Sequence, residues 1–482
     1  MTDITVNGLL DGWIDKNRDR ILENWMELAR IPSIKSAPAD NAPYGEECAK
    51  ALDFAAKLFM KEGFKTEIDT EGGYALAYYG ENGSKIGLFS HSDVVPVGED
   101  WLYTEPFNPI IKEGALIGRG VEDNKSGIMH AWCVYKFFKD SGIALNNTLQ
   151  TFIGSDEECG MEDMDAYLKK HPVPEISVVP DADFPCSVGE KGIYHFWAKS
   201  KKAFDGVTAF FGGEAFNIVL DRATVKLKYS SALEEEIARR ISGRKEFTLC
   251  SDAEALTLSA KGIAKHASIP EGAVNAAHLV AELLCDCKEL SENDRVIFKA
   301  IKNILSSFYG GGIGCEHADE KFGKLTSVNG IVKLEDGRPC ISFDVRYGSS
   351  LSASELEEKT EKALSDAGFT VTKVENKAGF AIDDDSKMPG IFEDIYEEIT
   401  GERLERVIMA GGTYARRLNN AFSVGTYAFR KGEREKSFVM PEGHGGAHQC
   451  DEMIDIDAFF TALKIIVNYI LACDREISDE HK

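Results

Sequence analysis

An α/β sheet flanked by helices and interrupted by a second domain is the fold class that this sequence predicts, on three observations. Short apolar runs alternate with helical patterns in the first part of the chain, as in layered α/β arrangements. Four of those runs, YALAYYG, KIGLFSHSD, LQTFIGSDEE and ISVVPDADF, carry acids, a histidine or a terminal glycine at their C-terminal ends. From about residue 188 to 380 clustered acids and histidines are scarce, and they return in PEGHGGAHQCDE near the C-terminus. A middle domain therefore interrupts the first, with expected bounds 1–187, 188–380 and 381–482.

Along the chain, an amphipathic helix is expected around residues 8 to 30, before the strand-like runs begin. In SHSDVVPVG a strand ends on His91 and Asp93. Residues two apart on a strand share a face, so this imidazole and carboxylate point the same way. GRGVEDNKSG reads as a glycine-rich loop with Asp123 before the helix SGIMHAWCVYKFF. The middle segment, with TVKLKYSSALEEEIARRISG and ISFDVRYGSSLSASELEEKTEKALSDAGFTVTKVE, alternates strands and helices. Open α/β sheets hold their ligands in the crevice beyond the carboxyl ends of the strands, where the acids of the first segment gather.

Composition narrows the function. The formal charge of −25 opposes nucleic-acid binding, because phosphates require a basic surface. Eleven scattered cysteines form neither a CxxC pattern nor a secreted disulfide framework, which fits a reducing cytoplasm. The N-terminal stretch lacks a basic region followed by an apolar one, and no run anywhere is expected to reach the ~18 apolar residues of a membrane span. A cytosolic protein without membrane or nucleic-acid partners is the expectation.

Taken singly, His91 reads as a hydrogen-bonded structural residue, Asp123 as a helix cap and Asp181 as a strand end. Jointly, His91, Asp123, Glu158, Asp181 and His448 are the nitrogen and oxygen donors that two borderline divalent ions require. Three carboxylates against two dications leave a small positive excess, which helps hold a bridging water as hydroxide. Glu157, beside a ligand, is placed to take that water's proton and pass it to a leaving amine.

SHSDVVPVGEDW, GRGVEDNKSG, GSDEECG, VVPDADFP and GAHQCDE, in that order, resemble the metal-site motifs of the co-catalytic zinc peptidases that include carnosinase, aminoacylase and carboxypeptidase G. PDADFP followed by GEKGIYHF, and MAGGTYARRL, resemble the peptidase V type dipeptidases in particular. The resemblance implies a metallopeptidase catalytic domain with a mixed sheet, interrupted by an inserted α+β lid domain. It implies that Asp123 bridges two ions, with His91 and Asp181 completing one site and Glu158 and His448 the other. Asp93 would orient His91, and the Asp123–Asn124 peptide would be cis. From the middle domain, His266 would stabilise the oxyanion and Asn217 would be a second such donor. Arg346 and Arg416 would bind the substrate carboxylate. Leu220 stands where related sequences often have proline. Asp183 competes with Asp181, and His444 with His448; the flanking motifs favour Asp181 and His448. Cys159 and Cys450 are read as packing residues.

The expectation is thus a monomeric dipeptidase using a bridging hydroxide and two divalent ions, zinc foremost, with manganese or cobalt admitted by the same donors. The alternatives are an N-acyl-amino-acid deacylase with the same site, or a non-catalytic metal- or peptide-binding relative.

Overall fold

The computed structural model describes residues 4–480 apart from 82, 84, 183, 185, 384, 385, 404, 419, 435 and 436. The chain divides into two compact units, Met1–Gly189 with Ile382–Lys482, and Glu190–Ala381.

In chain order the first unit contains α1 (Ile4–Ala29), α2 (Glu46–Lys61), β1 (Lys65–Asp69), β2 (Tyr74–Tyr79), β3 (Lys85–His91), α3 (Lys125–Ser141), β4 (Thr148–Gly154), α4 (Glu162–Lys170) and β5 (Ile176–Ala182). After the second unit it continues with α5 (Lys387–Thr400), β6 (Ala421–Gly425) and α6 (Ile456–Glu480). These six strands lie in the order β1-β2-β4-β3-β5-β6 within a nine-stranded mixed sheet. Pairings β1/β2 and β2/β4 are antiparallel, whereas β4/β3, β3/β5 and β5/β6 are parallel. This is the helix-flanked α/β sheet that the alternation predicts. The central parallel strands are almost wholly buried, as expected where helices cover both faces.

Helix α3 is buried nearly all round, with Trp132, Tyr135, Phe137 and Phe138 inaccessible, and it ends on Gly142 in the left-handed conformation. It lies close against β3 at Gly127, where a Cβ would meet Ser90 and Asn124. Contrary to the expectation that no run reaches a membrane span, Ile456–Ser478 could by length and composition cross one, the one such helix among the described residues; 78% of its apolar window is buried inside the protein. Phe459 of this helix stacks on His130 at 4.1 Å and lies 4.4 Å from Trp25, so its apolar faces meet α3 and α1.

The second unit is α+β. Its five-stranded sheet is built around Gly192–Ser200 and Arg338–Tyr347, and a four-stranded antiparallel sheet is built from Val207–Phe211, Arg222–Lys228, Ala255–Lys261 and Phe247–Ser251. Four of its helices begin on a side-chain cap: Ser230, Asn275, Ser291 and Ser352 each accept from an amide three residues on. Phe196 and Phe343 stack at 5.0 Å in its core. All eleven cysteines of the chain are free.

On one face of the five-stranded sheet, strand register places His195 beside Asp344 and Glu375. Its Nε2 lies 2.9 Å from Asp344 and its Nδ1 2.8 Å from Glu375. Burial opposes the charge, but the two carboxylates outweigh it and raise the His195 pKa from the ordinary 6.5 to about 9. A pKa raised on folding stabilises fully below about pH 6.5, and the contribution is lost as pH rises through about 9. We expect the stability of the protein to fall by about 2 to 3 kcal/mol over this window from this group. Urea denaturation at pH 6 and pH 9.5 checks it: His195→Gln should remove that part of the slope, and an unchanged slope would refute the assignment.

Candidate metal centre

Three adjacent parallel strands deliver their C-terminal ends to one edge of the sheet. His91 is the last residue of β3 and pairs with Gly154, the last of β4, after which the chain turns through Glu157 and Glu158. Asp181 lies at the end of β5, and Asp123 immediately precedes Asn124, the cap residue of α3. The Asp123–Asn124 peptide is cis. His448 arrives from the late glycine-rich segment in the left-handed region, with φ 64°.

The Asp123 carboxylate sits between the two imidazoles. Oδ1 is 3.1 Å from His91 Nε2, which is also 3.6 Å from Asp181 Oδ1. Oδ2 is 3.0 Å from His448 Nε2, which in turn is 3.2 Å from Glu158 Oε2. The five residues that the motifs single out as ligands are therefore brought together, divided as His91 with Asp181 and His448 with Glu158. Potential ligand atoms of His91, Asp123 and Glu158 lie within 4.8 Å of one another, and so do those of His91, Glu157 and Asp181.

Electrostatics argue that this group fits cations. Four carboxylates, those of buried Glu157 and of partly buried Asp123, Glu158 and Asp181, crowd around two histidines. Glu157 Oε1 and Glu158 Oε1 are buried without a hydrogen-bond partner among the described residues, an arrangement that is costly unless a positive charge compensates it. Burial, then Asp123, push Glu158 up to about 7 against the pull of His448. Burial raises Glu157 well above the carboxylate range, with His91 opposing. Hydrogen bonds that His448 donates to the Asp123 and Glu158 carboxylates hold its pKa up at about 11. His91 is likewise raised, its burial outweighed by Asp181, Asp123 and Asp93. Nitrogen and carboxylate donors without thiolate suit zinc, manganese or cobalt.

Asp93 faces the centre but divides its work differently from a simple imidazole partner. His91 Nδ1 is 2.9 Å from the backbone carbonyl of Asp93 and 3.4 Å from its carboxylate. The carboxylate oxygens accept from the amides of Glu157 and Glu158 at 3.2 and 3.1 Å. Asp93 thereby ties the turn bearing both glutamates to the strand bearing His91.

Sequence reasoning missed several supports. Asp163, fully buried, accepts from the amides of Ser155 and Asp156 and from Tyr414 at 2.5 Å. Gly154 leaves room for this contact, since a Cβ there would collide with both Tyr414 and Asp163. Glu452 accepts from the amides of Gly120, Glu122 and Asp123. It closes the GAHQCDE motif, and that adjacency was the only sequence signal for it. His444 Nδ1 bonds Asp451 at 2.7 Å, and Asp451 also accepts from the amides of Leu102 and Tyr103. His444 thus bonds an acid that braces a neighbouring loop.

Arg416 is half-buried over Gly412, on the turn whose Tyr414 meets the His91 ring at 6.4 Å. Within the second unit, His266 and Asn217 are neighbours: the Ala267 amide donates to the Asn217 carbonyl, and His266 Nδ1 lies 2.6 Å from Ser268. The Leu220 amide donates to the Asn329 carbonyl at 2.9 Å, a bond that a proline could not make. Arg346 is buried and forked onto Asp344 at 2.7 and 2.8 Å. Cys159 is exposed, contrary to the packing role expected of it, because it follows the Glu157–Glu158 turn outward; Cys450 is partly buried. Asp183, the rival to Asp181, lies outside the described residues.

This sheet edge, with its crowded acids and paired imidazoles, is the kind of site that metal-dependent hydrolases carry. Residues 87–472 match Peptidase family M20/M25/M40. The chain belongs to this family and is a metallopeptidase-type hydrolase. Two Staphylococcus aureus proteins, from strains bovine RF122 / ET3-1 and MRSA252, carry a dipeptidase assignment and are 25% identical over 474 residues, covering 95% of this chain and 97% of their own length. Two solved structures share the fold at 12% identity. The di-peptidase Dug1p of Saccharomyces cerevisiae has a TM-score of 0.59, with 98% of each chain covered. Human carnosine dipeptidase 1 has a TM-score of 0.58, covering 98% of this chain and 100% of its own.

Proposed function

We propose that this protein hydrolyses the peptide bond of dipeptides with a free N-terminus, using two divalent ions held by His91, Asp181, Asp123, Glu158 and His448. The observation that carries the proposal is the division of the Asp123 oxygens, one toward His91 and the other toward His448. When bound, such ions would polarise the scissile carbonyl and lower the pKa of an attacking water. The chain's own groups perform the remaining work. Glu157 takes the proton of the water on its carboxylate and returns it to the leaving amine. Asp93 holds the Glu157–Glu158 turn and the His91 ring in place. On this reading the Glu190–Ala381 unit serves as a lid, with His266 and Asn217 as oxyanion donors, and Arg346 and Arg416 receive the substrate carboxylate as planar forks. The protein acts as a monomer in the cytoplasm, a compartment that suits eleven free cysteines.

Protein stripped of metal and reloaded separately with zinc and manganese tests the reading. The substrates are an unblocked dipeptide, β-alanyl-histidine and an N-acetyl amino acid. The expected result is cleavage of the unblocked dipeptides, abolished by chelation and restored by reloading. Preference for the acetylated substrate would transfer the activity to deacylation, and absence of turnover with either metal bound would leave a binding protein.

A further inference from the structure

The buried pair Arg119 and Glu452 lies behind the centre, and the catalytic proposal gives it no task. Their side chains are 1% and 0% exposed and meet at 2.8 Å. Glu452 accepts four donors: Arg119 Nη1, the Gly120 amide, and the amides of Glu122 and Asp123 at 2.8 and 3.0 Å. A carboxylate offers about four acceptor positions, so this one is saturated and has none left for an ion or a proton relay. All four donors belong to one stretch of chain, and that stretch ends on the amide of Asp123 itself. Arg119 Nη2 reaches in addition toward the carbonyls of Pro96 and Val97, at 3.3 and 3.5 Å, in the loop that follows His91 and Asp93. Glu452 stands four residues beyond His448. One ion pair therefore joins the segments that carry His91, Asp123 and His448.

A buried ion pair is weak evidence for stability, because desolvation offsets most of the attraction. Partners that orient ligands, by contrast, change metal affinity 10- to 100-fold when altered. We propose that Arg119 and Glu452 are positioning residues for the metal centre, fixing where Asp123 stands relative to His91 and His448. This rests on the ligand assignment proposed above.

The test is zinc titration of the metal-stripped full chain by calorimetry, with hydrogen exchange read over residues 118–124. Glu452→Gln turns an amide toward the N–H donors and should weaken zinc binding about 10- to 100-fold. Because that variant leaves Arg119 buried without its counter-ion, the neutral double variant Arg119→Gln/Glu452→Gln keeps the test decisive if the single one fails to fold. It should show the same loss, with faster exchange over 118–124. Trp25→Phe, a core change remote in sequence from these segments, supplies a control for lost stability and should keep wild-type affinity. Folded Glu452 variants with wild-type zinc affinity, or a loss matched by the Trp25 control at equal melting temperature, would overturn the proposal. Retention of both ions by Asp123→Asn would instead refute the ligand assignment, so the two failures are separable.

Discussion

Glu157→Gln is expected to lower turnover by about 10²- to 10⁴-fold, the usual worth of a positioned general base, while leaving metal content unchanged. Glutamine preserves the size of the side chain and its acceptor oxygen but cannot take a proton. The residue is 8% exposed, and its Oε1 has no hydrogen-bond partner among the described residues. A buried carboxylate oxygen left without a donor, facing a cluster of ligands, is poorly explained as a structural group. The geometry also offers a competing role, since the carboxylates of Glu157 and Asp181 and the imidazole of His91 could by distance hold an ion themselves. Metal analysis of the desalted variant alongside kcat separates the two. Low kcat with full metal supports the base, whereas low kcat with metal lost would make Glu157 a ligand.

What could be read from the sequence was whatever depended on short-range periodicity and order along the chain. His91 and Asp93 share a face because a strand alternates, and the structure puts both at the same sheet edge. The ends of β3, β4 and β5 were recognisable because acids and a histidine follow apolar runs. Contacts that depend on register or on distant segments were not legible. The carboxylate of Asp93 meets amides 64 and 65 residues away, and its local pairing with His91 gave no hint of them. The His195–Asp344–Glu375 cluster requires the alignment of three strands, which hydrophobic alternation on a single strand does not specify. Glu452 was in view as the last residue of a motif, but its role arises from the amides of residues 120, 122 and 123, more than 300 positions earlier. The last helix shows the converse difficulty. Its composition would serve a membrane span or a core helix equally well, and only its packing against His130 and Trp25 distinguishes them.

On the proposed ligand assignment, Asp123→Asn is expected to release both ions, whereas His448→Ala should release only the ion assigned to it and Glu158. The asymmetry follows from geometry. His448 meets Oδ2 of Asp123 and one oxygen of Glu158, while His91 and Asp181 surround Oδ1 on the other side. Removal of one imidazole leaves the opposite set intact. Removal of the shared charge takes a carboxylate from both sets at once, and an amide replaces one of the two oxygens with a group that cannot ligate. The backbone at this position should survive the change, because Glu452 holds the Asp123 amide independently of the side chain. Loss of the ions removes several kcal/mol of transition-state stabilisation, so turnover should fall by more than about 10³-fold. Metal stoichiometry after desalting, with circular dichroism to establish folding, is the measurement. Two ions retained by folded Asp123→Asn would show that the aspartate does not bridge, and one ion retained would assign it to a single site.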